Sequence, residues 1–388
     1  MSEYVIENGR IYTETETIER GYLVINNEKI TEIKSGDYHG DLTTIDAQGQ
    51  HIIPGFIDIH MHGGYGEDAM DASYDGLKHL SESLLSEGTT SYLATTMTQS
   101  DENITKALEN IVNYQKAQDQ YNAATIVGVH LEGPFISEHK VGAQNPAYVQ
   151  RPTVAKVEQF QTTANNQIKV ITFAPEVEGA HETLEALHKE IQFSIGHTVA
   201  TFDEVNDAVA HGAKHVTHLY NAGTSFEHRE PGVFGAAWLK DQLSTEWIVD
   251  GILSHPAAVK IAYKQKGNAR FFLITDAMRA KGMLDGEYDL GGQNVIVKGS
   301  EARLASGALA GSILKMNTGL KNLINFTGDT LDHLWRVTSL NQAIALNIDT
   351  QTGSLEVGKD ADIVIVNDDI DVLATIKSGK IHKFKSVL

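Results

Sequence analysis

Apolar and polar residues alternate differently at the two ends of the chain and in its middle. Residues 1–53 contain short segments in which every second position is apolar, separated by turn signals such as Asn8-Gly9 and Asn26-Asn27. Segments of the same kind return after residue 360. The predicted strands at the two ends are 4–6, 11–13, 21–25, 29–33, 360–366, 372–376 and 380–384. This arrangement predicts one small β-sandwich domain built from both ends, residues 1–53 plus 355–388.

Between residues 54 and 354 the pattern changes to apolar strands separated by helical stretches. Strands are predicted near residues 53–60, 89–95, 125–132, 168–174, 191–196, 214–219, 246–252 and 271–275. Helices between them include residues 74–87, 101–118, 154–164, 180–188 and 202–211. Eight strand-then-helix units in about 290 residues are typical of a (β/α)8 TIM barrel, an α/β fold.

Polar residues follow the apolar part of five predicted barrel strands. The first strand ends in His60-Met61-His62, and strand alternation places both imidazoles on one face. Glu132 ends the third strand, and His197, His218 and Asp276 follow the fifth, sixth and eighth strands. Because barrel active sites lie at the carboxyl ends of the strands, we expect these side chains to meet.

Each of these residues has an ordinary explanation when it is taken singly. With 17 histidines in 388 residues, about one His-x-His pair is expected by chance. Their joint position favours a metal site, since imidazole and carboxylate ligands suit Zn²⁺ or Fe²⁺. Five ligands hold two ions if Glu132 bridges them, or one ion with ligands to spare. Asp276 then remains as the proton-transfer residue.

Composition narrows the choice of ligands and partners. The chain contains no cysteine, which excludes thiolate ligands and disulfides and fits a cytoplasmic protein. Its formal net charge of −20 argues against nucleic acids and anionic membranes as partners, and an anionic substrate would need a local basic group. The chain has no run of about 18 apolar residues, so no membrane span is predicted. The first residues also lack the pattern of a signal peptide.

Several longer motifs resemble those of one family. The segment Pro-Gly-Phe-Ile-Asp-Ile-His-Met-His at 54–62 resembles the first-strand signature of the amidohydrolase superfamily. The motifs at 130–135, 194–198, 217–222, 229–232 and 309–312 narrow the resemblance to the N-acetylglucosamine-6-phosphate deacetylases. The resemblance extends over essentially the whole chain, including Gly-Lys-Asp-Ala-Asp at 358–362.

This resemblance implies metal-dependent hydrolysis of N-acetylglucosamine 6-phosphate to glucosamine 6-phosphate and acetate, in amino-sugar catabolism and cell-wall precursor recycling. It implies that Glu132, His197 and His218 ligate the metal and that Asp276 is the acid/base. His60 and His62 would add a second metal position, which some members lack. The ion would be Zn²⁺ or Fe²⁺, with Mn²⁺ or Co²⁺ also suited to such ligands, and one or two would bind per chain.

The resemblance also implies a substrate site. The residues expected to contact the sugar are Ala143, Gln144, Asn221, Ala222, Leu309, Ala310 and Gly311. Arg229 would bind the 6-phosphate by reaching across the interface of a homodimer, because a guanidinium matches phosphate oxygens in a planar fork.

One position departs from the family's pattern. Members commonly have a histidine two residues after the Asp-Gly of the seventh strand, and this chain has Leu253 there. His255 has the same strand parity and is the candidate replacement, although it could equally be a loop histidine. Two alternatives stay open at this level. One is another amidohydrolase reaction, such as deamination or cyclic-amide hydrolysis, and the other is a non-catalytic relative that binds metal or sugar phosphate.

Overall fold

A computed structural model describes residues 3–384 of the chain. Its strands are, in chain order, β1 (Glu3–Tyr12), β2 (Thr17–Asn26), β3 (Lys29–Ser35), β4 (Thr43–Asp46), β5 (His51–Pro54), β6 (Phe56–Met61), β7 (Gly63–Gly64), β8 (Glu67–Asp68), β9 (Thr89–Thr96), β10 (Thr125–Glu132), β11 (Ile168–Phe173), β12 (Gln192–Ile195), β13 (His215–Val216), β14 (Ser244–Ile248), β15 (Phe271–Ile274), β16 (Gly286–Leu290), β17 (Gln293–Lys298), β18 (Glu301–Leu304), β19 (Ile363–Val366), β20 (Val372–Lys377) and β21 (Lys380–Lys383). The α-helices are α1 (Tyr74–Leu84), α2 (Asp101–Gln115), α3 (Val154–Thr163), α4 (Ala180–Leu187), α5 (Phe202–Ala210), α6 (Gly232–Leu239), α7 (Pro256–Lys266), α8 (Met316–Thr327), α9 (Leu331–Leu334) and α10 (Leu340–Ala345).

Eight parallel strands form the barrel sheet, in the order β6, β9, β10, β11, β12, β13, β14 and β15. Helices cover the outside and side chains fill the inside, so strands such as β9 are buried at every position. The helices present apolar residues at helical spacing, as α2 does with Ile104, Leu108 and Ile111. Within residues 3–384, no helix combines the length and apolar content needed to cross a bilayer.

The barrel closes between β6 and β15 through a few specific bonds. The Asp58 carboxylate accepts a hydrogen bond from Oγ1 of Thr275 at 2.5 Å and others from the N–H groups of Thr275 and His60. The N–H of Asp276 donates to the carbonyl oxygen of His60 at 2.8 Å. Burial raises the pKa of Asp58 to about 6. These bonds hold the first and last strands together at the rim where both strands end.

Both ends of the chain contribute to the second large sheet. Its order is β21-β20-β19-β5-β1-β2-β3, with β4 paired to β1. Strand β19 runs antiparallel to β5 and places Ile363 opposite Pro54, where the chain enters the barrel. Residues from the two ends, including Ile6, Leu23 and Ile363, share one apolar cluster. The predicted fold class, a TIM barrel with a small β unit from both ends, is confirmed.

The Asn8-Gly9 pair does not turn the chain, contrary to the prediction of two separate strands there. Strand β1 continues through both residues, with Asn8 at a φ of 54° and the register against β2 shifted between Ile6 and Gly9. An extra residue in one strand of an antiparallel pair produces such a β-bulge. A bulge and a turn use the same residue types, and only the pairing with β2 distinguishes them.

A small antiparallel meander, β16–β18, follows the last barrel strand and was absent from the prediction. Val295 and Val297 of β17 are buried, whereas Ile296 between them is half exposed. The buried side packs against Met278 and Ala310. The meander therefore covers the rim of the barrel beside the end of β15.

Candidate active site

Glu132 lies among buried histidines at the carboxyl ends of the barrel strands. Its Oε1 is 3.1 Å from Nε2 of both His197 and His218, and its Oε2 is 3.0 Å from Nε2 of His62. The side chains form two groups that share Glu132, one with His197 and His218 and the other with His60, His62 and Asp276. The structure thus brings together all six residues that the strand ends predicted.

The hydrogen bonds of the imidazoles leave their Nε2 atoms facing one another. Nδ1 of His197 is 2.8 Å from the carbonyl oxygen of Lys140, and Nδ1 of His62 is 3.2 Å from that of Thr95. A carbonyl only accepts, so each Nδ1 donates its proton there, and Nε2 is the atom of each ring that faces the Glu132 carboxylate. Nε2 of His197 and Nε2 of His218 lie 3.1 Å apart beside the Glu132 carboxylate. This donor set fits a divalent cation.

Asp276 faces the other pair of histidines. Its Oδ1 is 3.3 Å from Nε2 of His60 and 3.2 Å from Nε2 of His62. Burial raises the pKa of Asp276, but the imidazoles of His60 and His62 lower it further, so the net pKa lies below its usual range. The carboxyl group is therefore ionised at neutral pH. Its side chain is 11% exposed, against 2% for Glu132, so Asp276 is the carboxylate that solvent reaches.

Three residues of the site have left-handed backbone conformations. The φ angles are 49° at His197, 27° at His218 and 46° at Asp276. Residues other than glycine rarely adopt positive φ, and those that do are concentrated at functional sites. Each lies just beyond the end of its strand, so the chain turns sharply at a candidate ligand or proton-transfer residue.

A cavity of about 150 Å³ opens onto this cluster. The predicted sugar-contact residues that line it are Ala143, Gln144, Asn221, Ala222, Leu309 and Gly311. Nε2 of Gln144 donates to Oε2 of Glu132 at 2.8 Å, and Oε1 of Gln144 accepts from the N–H of Thr98. Met97 and Leu290 also line the cavity and were not predicted. Leu290 was missed because the meander that carries it was not recognised.

Other predicted binding residues lie outside the cavity of this single chain. Ala310 is buried beneath the meander. Arg229 is exposed before α6, and His255 is exposed at the start of α7, where its Nδ1 accepts from the N–H of Ala257. Leu253 does line the cavity. Among the described residues that line it, none is a lysine or an arginine.

Sequence reasoning missed Glu246, which lies on β14 and is fully buried. Its Oε2 is 2.8 Å from Nδ1 of His60 and 3.3 Å from the N–H nitrogen of His218. A carboxylate that accepts the Nδ1 proton fixes the orientation of a ligating imidazole. The available signal was a charged residue at the start of a predicted barrel strand, directly before the apolar residues 247–249, because a carboxylate buried in a strand requires a partner.

The model of the amidohydrolase family matches residues 51–382 of the chain. The chain belongs to the amidohydrolase family. The N-acetylglucosamine-6-phosphate deacetylase of Bacillus subtilis is 45% identical to this amidohydrolase over 383 residues, 97% of this chain and 96% of the relative. The N-acetylgalactosamine-6-phosphate deacetylase of Escherichia coli O157:H7 is 35% identical over 334 residues, 86% and 88% of the two chains.

Solved structures agree with this assignment. The crystal structure of N-acetylglucosamine-6-phosphate deacetylase from Pasteurella multocida superposes on this amidohydrolase with a TM-score of 0.92. The two are 30% identical, and the match covers 98% of this chain and 100% of the other. Family membership and the buried His/Glu/Asp donor set together identify a metal-dependent hydrolase.

Proposed function

We propose that this amidohydrolase hydrolyses N-acetylglucosamine 6-phosphate to glucosamine 6-phosphate and acetate. The observation that carries the proposal is the ionised Asp276 beside the Glu132, His197 and His218 group at the base of the cavity. Amide hydrolysis needs an activated water, a polarised carbonyl group and a proton for the leaving amine. The cavity offers residues for all three requirements, and the relatives act on N-acetylhexosamine 6-phosphates by name.

The residues divide this chemistry between them. A divalent metal held by Glu132, His197 and His218 would lower the pKa of its water to about 7 and polarise the acetamido carbonyl group. The Asp276 carboxylate accepts the proton of the attacking water and returns it to the amine nitrogen as the C–N bond breaks. One carboxylate serves both transfers because they are sequential. Glu132 is unsuited to this role, because His62, His197, His218 and Gln144 already occupy its oxygens.

We propose that His60 and His62 would hold a second metal ion, with Glu132 belonging to both groups of candidate ligands. The contacts of Glu132 support this proposal, since Oε1 lies 3.1 Å from Nε2 of His197 and of His218 and 3.4 Å from Nε2 of His60, while Oε2 lies 3.0 Å from Nε2 of His62. Zn²⁺ or Fe²⁺ is the favoured ion, and Mn²⁺ or Co²⁺ also suits imidazole and carboxylate ligands.

We propose that the substrate's phosphate is bound by Arg229 from a second copy of the chain in a homodimer. Among the described residues, no lysine or arginine lines the cavity of one chain, and the net charge of −20 opposes an anionic substrate. Arg229 is exposed and forms no ion pair among the described residues, so its guanidinium is available to a phosphate. His255, also exposed, is the second candidate for this contact, because its imidazole can supply the hydrogen-bond donor that the side chain of Leu253 does not have.

We also propose a division of the chain into a small β domain, residues 1–53 plus 355–388, and a barrel, residues 54–354. The first boundary falls before Pro54, the last residue of β5, and the chain passes from one large sheet to the other directly after it. Residues 1–2 and 385–388 of the proposed small domain lie outside the described residues. The absence of cysteine supports a cytoplasmic location.

Acetate release from N-acetylglucosamine 6-phosphate, with metal analysis of the same sample, tests the proposal. We expect equal amounts of acetate and glucosamine 6-phosphate from the metal-loaded protein. No acetate release would contradict the proposed function, and N-acetylgalactosamine 6-phosphate provides a parallel test of sugar specificity. Arg229→Ala should raise KM for the phosphorylated sugar. An unchanged KM would favour a different amidohydrolase reaction, which assays for ammonia release or ring opening would identify.

A further inference from the structure

The end of the barrel opposite the active site holds a second, larger cavity of about 500 Å³. It is lined where neighbouring strands begin: Lys169 on β11, Gln192 on β12, His215 on β13, Ser244 on β14 and Phe272 on β15. Residues from 336 to 347 complete its wall. Since the active site lies where the same strands end, the two cavities are at opposite ends of the barrel.

This cavity, called the basic cavity below, collects positive charge in an acidic protein. Its cationic lining residues are Lys169, Lys189, Lys214, Arg270 and Arg336, and its one acidic lining residue is Glu190. The whole chain has 31 lysines and arginines against 51 aspartates and glutamates, so this concentration runs against the overall charge. Cations crowded around a concave surface attract anions from solution.

The cations of the basic cavity are also unneutralised. None of the five forms an ion pair among the described residues. In contrast, a neighbouring cavity contains Lys29 and Lys377, which pair with Asp360 at 2.6 Å and with Asp362 at 2.9 Å. Two of the three lysines of that neighbouring cavity are thus paired, Lys380 being the exception, whereas none of the five cations of the basic cavity has a carboxylate partner among the described residues.

The buried imidazole of His215 also lines the basic cavity, and one of its nitrogens has no hydrogen-bond partner. His215 is 4% exposed, and its Nδ1 is buried with no hydrogen-bond partner. Burial, and then the charges of Lys214 and Arg270, lower the pKa of His215 to about 3, so the ring is neutral. Buried polar atoms in folded proteins nearly always have a partner, and the missing one here points to a bound group.

The guanidinium of Arg336 is held in place by a hydrogen bond to a neighbouring side chain. Oδ1 of Asn341 accepts a hydrogen bond from Nε of Arg336 at 2.9 Å, and Asn341 is itself held through its amide by the carbonyl oxygens of Asn268 and Phe271. The terminal N–H groups of Arg336 have no protein partner in residues 3–384. A fixed guanidinium with free N–H groups is the arrangement that binds phosphate oxygens in pairs.

We propose that the basic cavity binds a small phosphorylated anion. Its volume lies within the range of small-molecule sites, and its lining supplies lysines, two arginines and a neutral buried imidazole. This site is separate from the active site and goes beyond the proposed deacetylation. Free phosphate and a sugar phosphate share the chemistry that it recognises, and the experiment distinguishes them.

Calorimetric titration of the metal-loaded full chain at low salt, with inorganic phosphate in one arm and glucose 6-phosphate in the other, tests the proposal. The variant Lys214→Ala/Arg270→Ala removes two exposed cations of the basic cavity. Lys260→Ala/Lys264→Ala removes the same charge from exposed, unpaired positions of α7 and is the matched control. We expect Kd to rise about tenfold or more in the first variant and less than about twofold in the control.

Three results would overturn the proposal. The first is the absence of saturable binding of either probe to the wild type, and the second is equal weakening in both variants, which would indicate general charge attraction. The third is binding that survives in Lys214→Ala/Arg270→Ala and disappears when the metal is removed, because that binding belongs to the active site. Acetate release by Lys214→Ala/Arg270→Ala should equal that of the wild type, so this proposal and the proposed function fail separately.

Discussion

Glu246 and His60 form a buried carboxylate–imidazole pair, with Oε2 of Glu246 2.8 Å from Nδ1 of His60 and neither side chain exposed. The Nδ1 proton of His60 is therefore directed to Glu246, and Nε2 of His60 faces Glu132 and Asp276. The orientation of a candidate ligand on the first barrel strand thus depends on a residue of the seventh.

Replacing Glu246 with glutamine should weaken binding of the ion held by His60 and His62 by about 10- to 100-fold. The amide keeps the size of the side chain, but its uncharged oxygen accepts a weaker hydrogen bond from Nδ1–H, and the substitution buries an extra NH₂ group. Competition with a chelator of known affinity measures the change. Glu190→Gln, an exposed substitution of the same type, is the control. Equal metal affinity in both variants would show that Glu246 does not position His60.

The variant Asp276→Asn should lower kcat by about 10²- to 10⁴-fold and leave the metal content unchanged. The amide cannot accept the proton of the attacking water, whereas Glu132, His197 and His218 remain in place. Steady-state kinetics and metal analysis of one preparation give both quantities, with the exposed Asp203→Asn as control. Activity within about tenfold of the wild type would exclude Asp276 as the acid/base.

A His60→Ala/His62→Ala variant should lose one equivalent of metal and keep part of its activity. The reason is that Glu132, His197 and His218 form a group of candidate ligands without these histidines. Metal analysis after dialysis, together with an acetate assay, measures both effects. Loss of all bound metal would show instead that His60 and His62 belong to the indispensable site.

The variant Lys281→Met should destabilise the fold by about 3–5 kcal/mol. Nζ of Lys281 is 2.9 Å from Oε1 of Glu87, and neither side chain is exposed. The substitution therefore leaves a buried carboxylate that accepts hydrogen bonds from the neutral hydroxyls of Tyr65 and Thr89 and has no cation beside it. Urea unfolding followed by tryptophan fluorescence measures the change. The double variant Lys281→Met/Glu87→Gln should recover most of the loss. A double variant as unstable as the single one would mean that Lys281 acts through packing rather than through its charge.

The barrel and its candidate ligands could be predicted because they depend on local patterns. Parallel strands that are buried on both faces produce continuous apolar segments, and their order in the chain is their order in the sheet. His197, His218 and Asp276 each follow such a segment, so a single rule about strand ends placed all three at one rim. The predicted meeting is confirmed by the distances from Glu132 to His197 and His218 and by the group that Asp276 forms with Glu132, His60 and His62.

The features that could not be predicted depend on which strands lie side by side. Glu246 meets His60 only because closure of the barrel leaves β15 alone between β14 and β6, and no local pattern records that contact. The strand predicted at 214–219 is paired only over His215–Val216, since the chain leaves the sheet early to place His218 at a positive φ. The bulge at Asn8 likewise depends on pairing with β2.

The bond between Asp276 and His60 across the β6–β15 seam has a consequence for synthesis of the protein. A growing chain contains Glu132, His197 and His218 well before residue 276 has been made, because chains are synthesised from the N-terminus. Asp276 takes its place only when the last strand docks beside the first and its N–H reaches the carbonyl oxygen of His60. If Asp276 is the acid/base proposed above, a partly synthesised chain lacks the proton-transfer residue, and hydrolytic competence would begin only when the barrel closes.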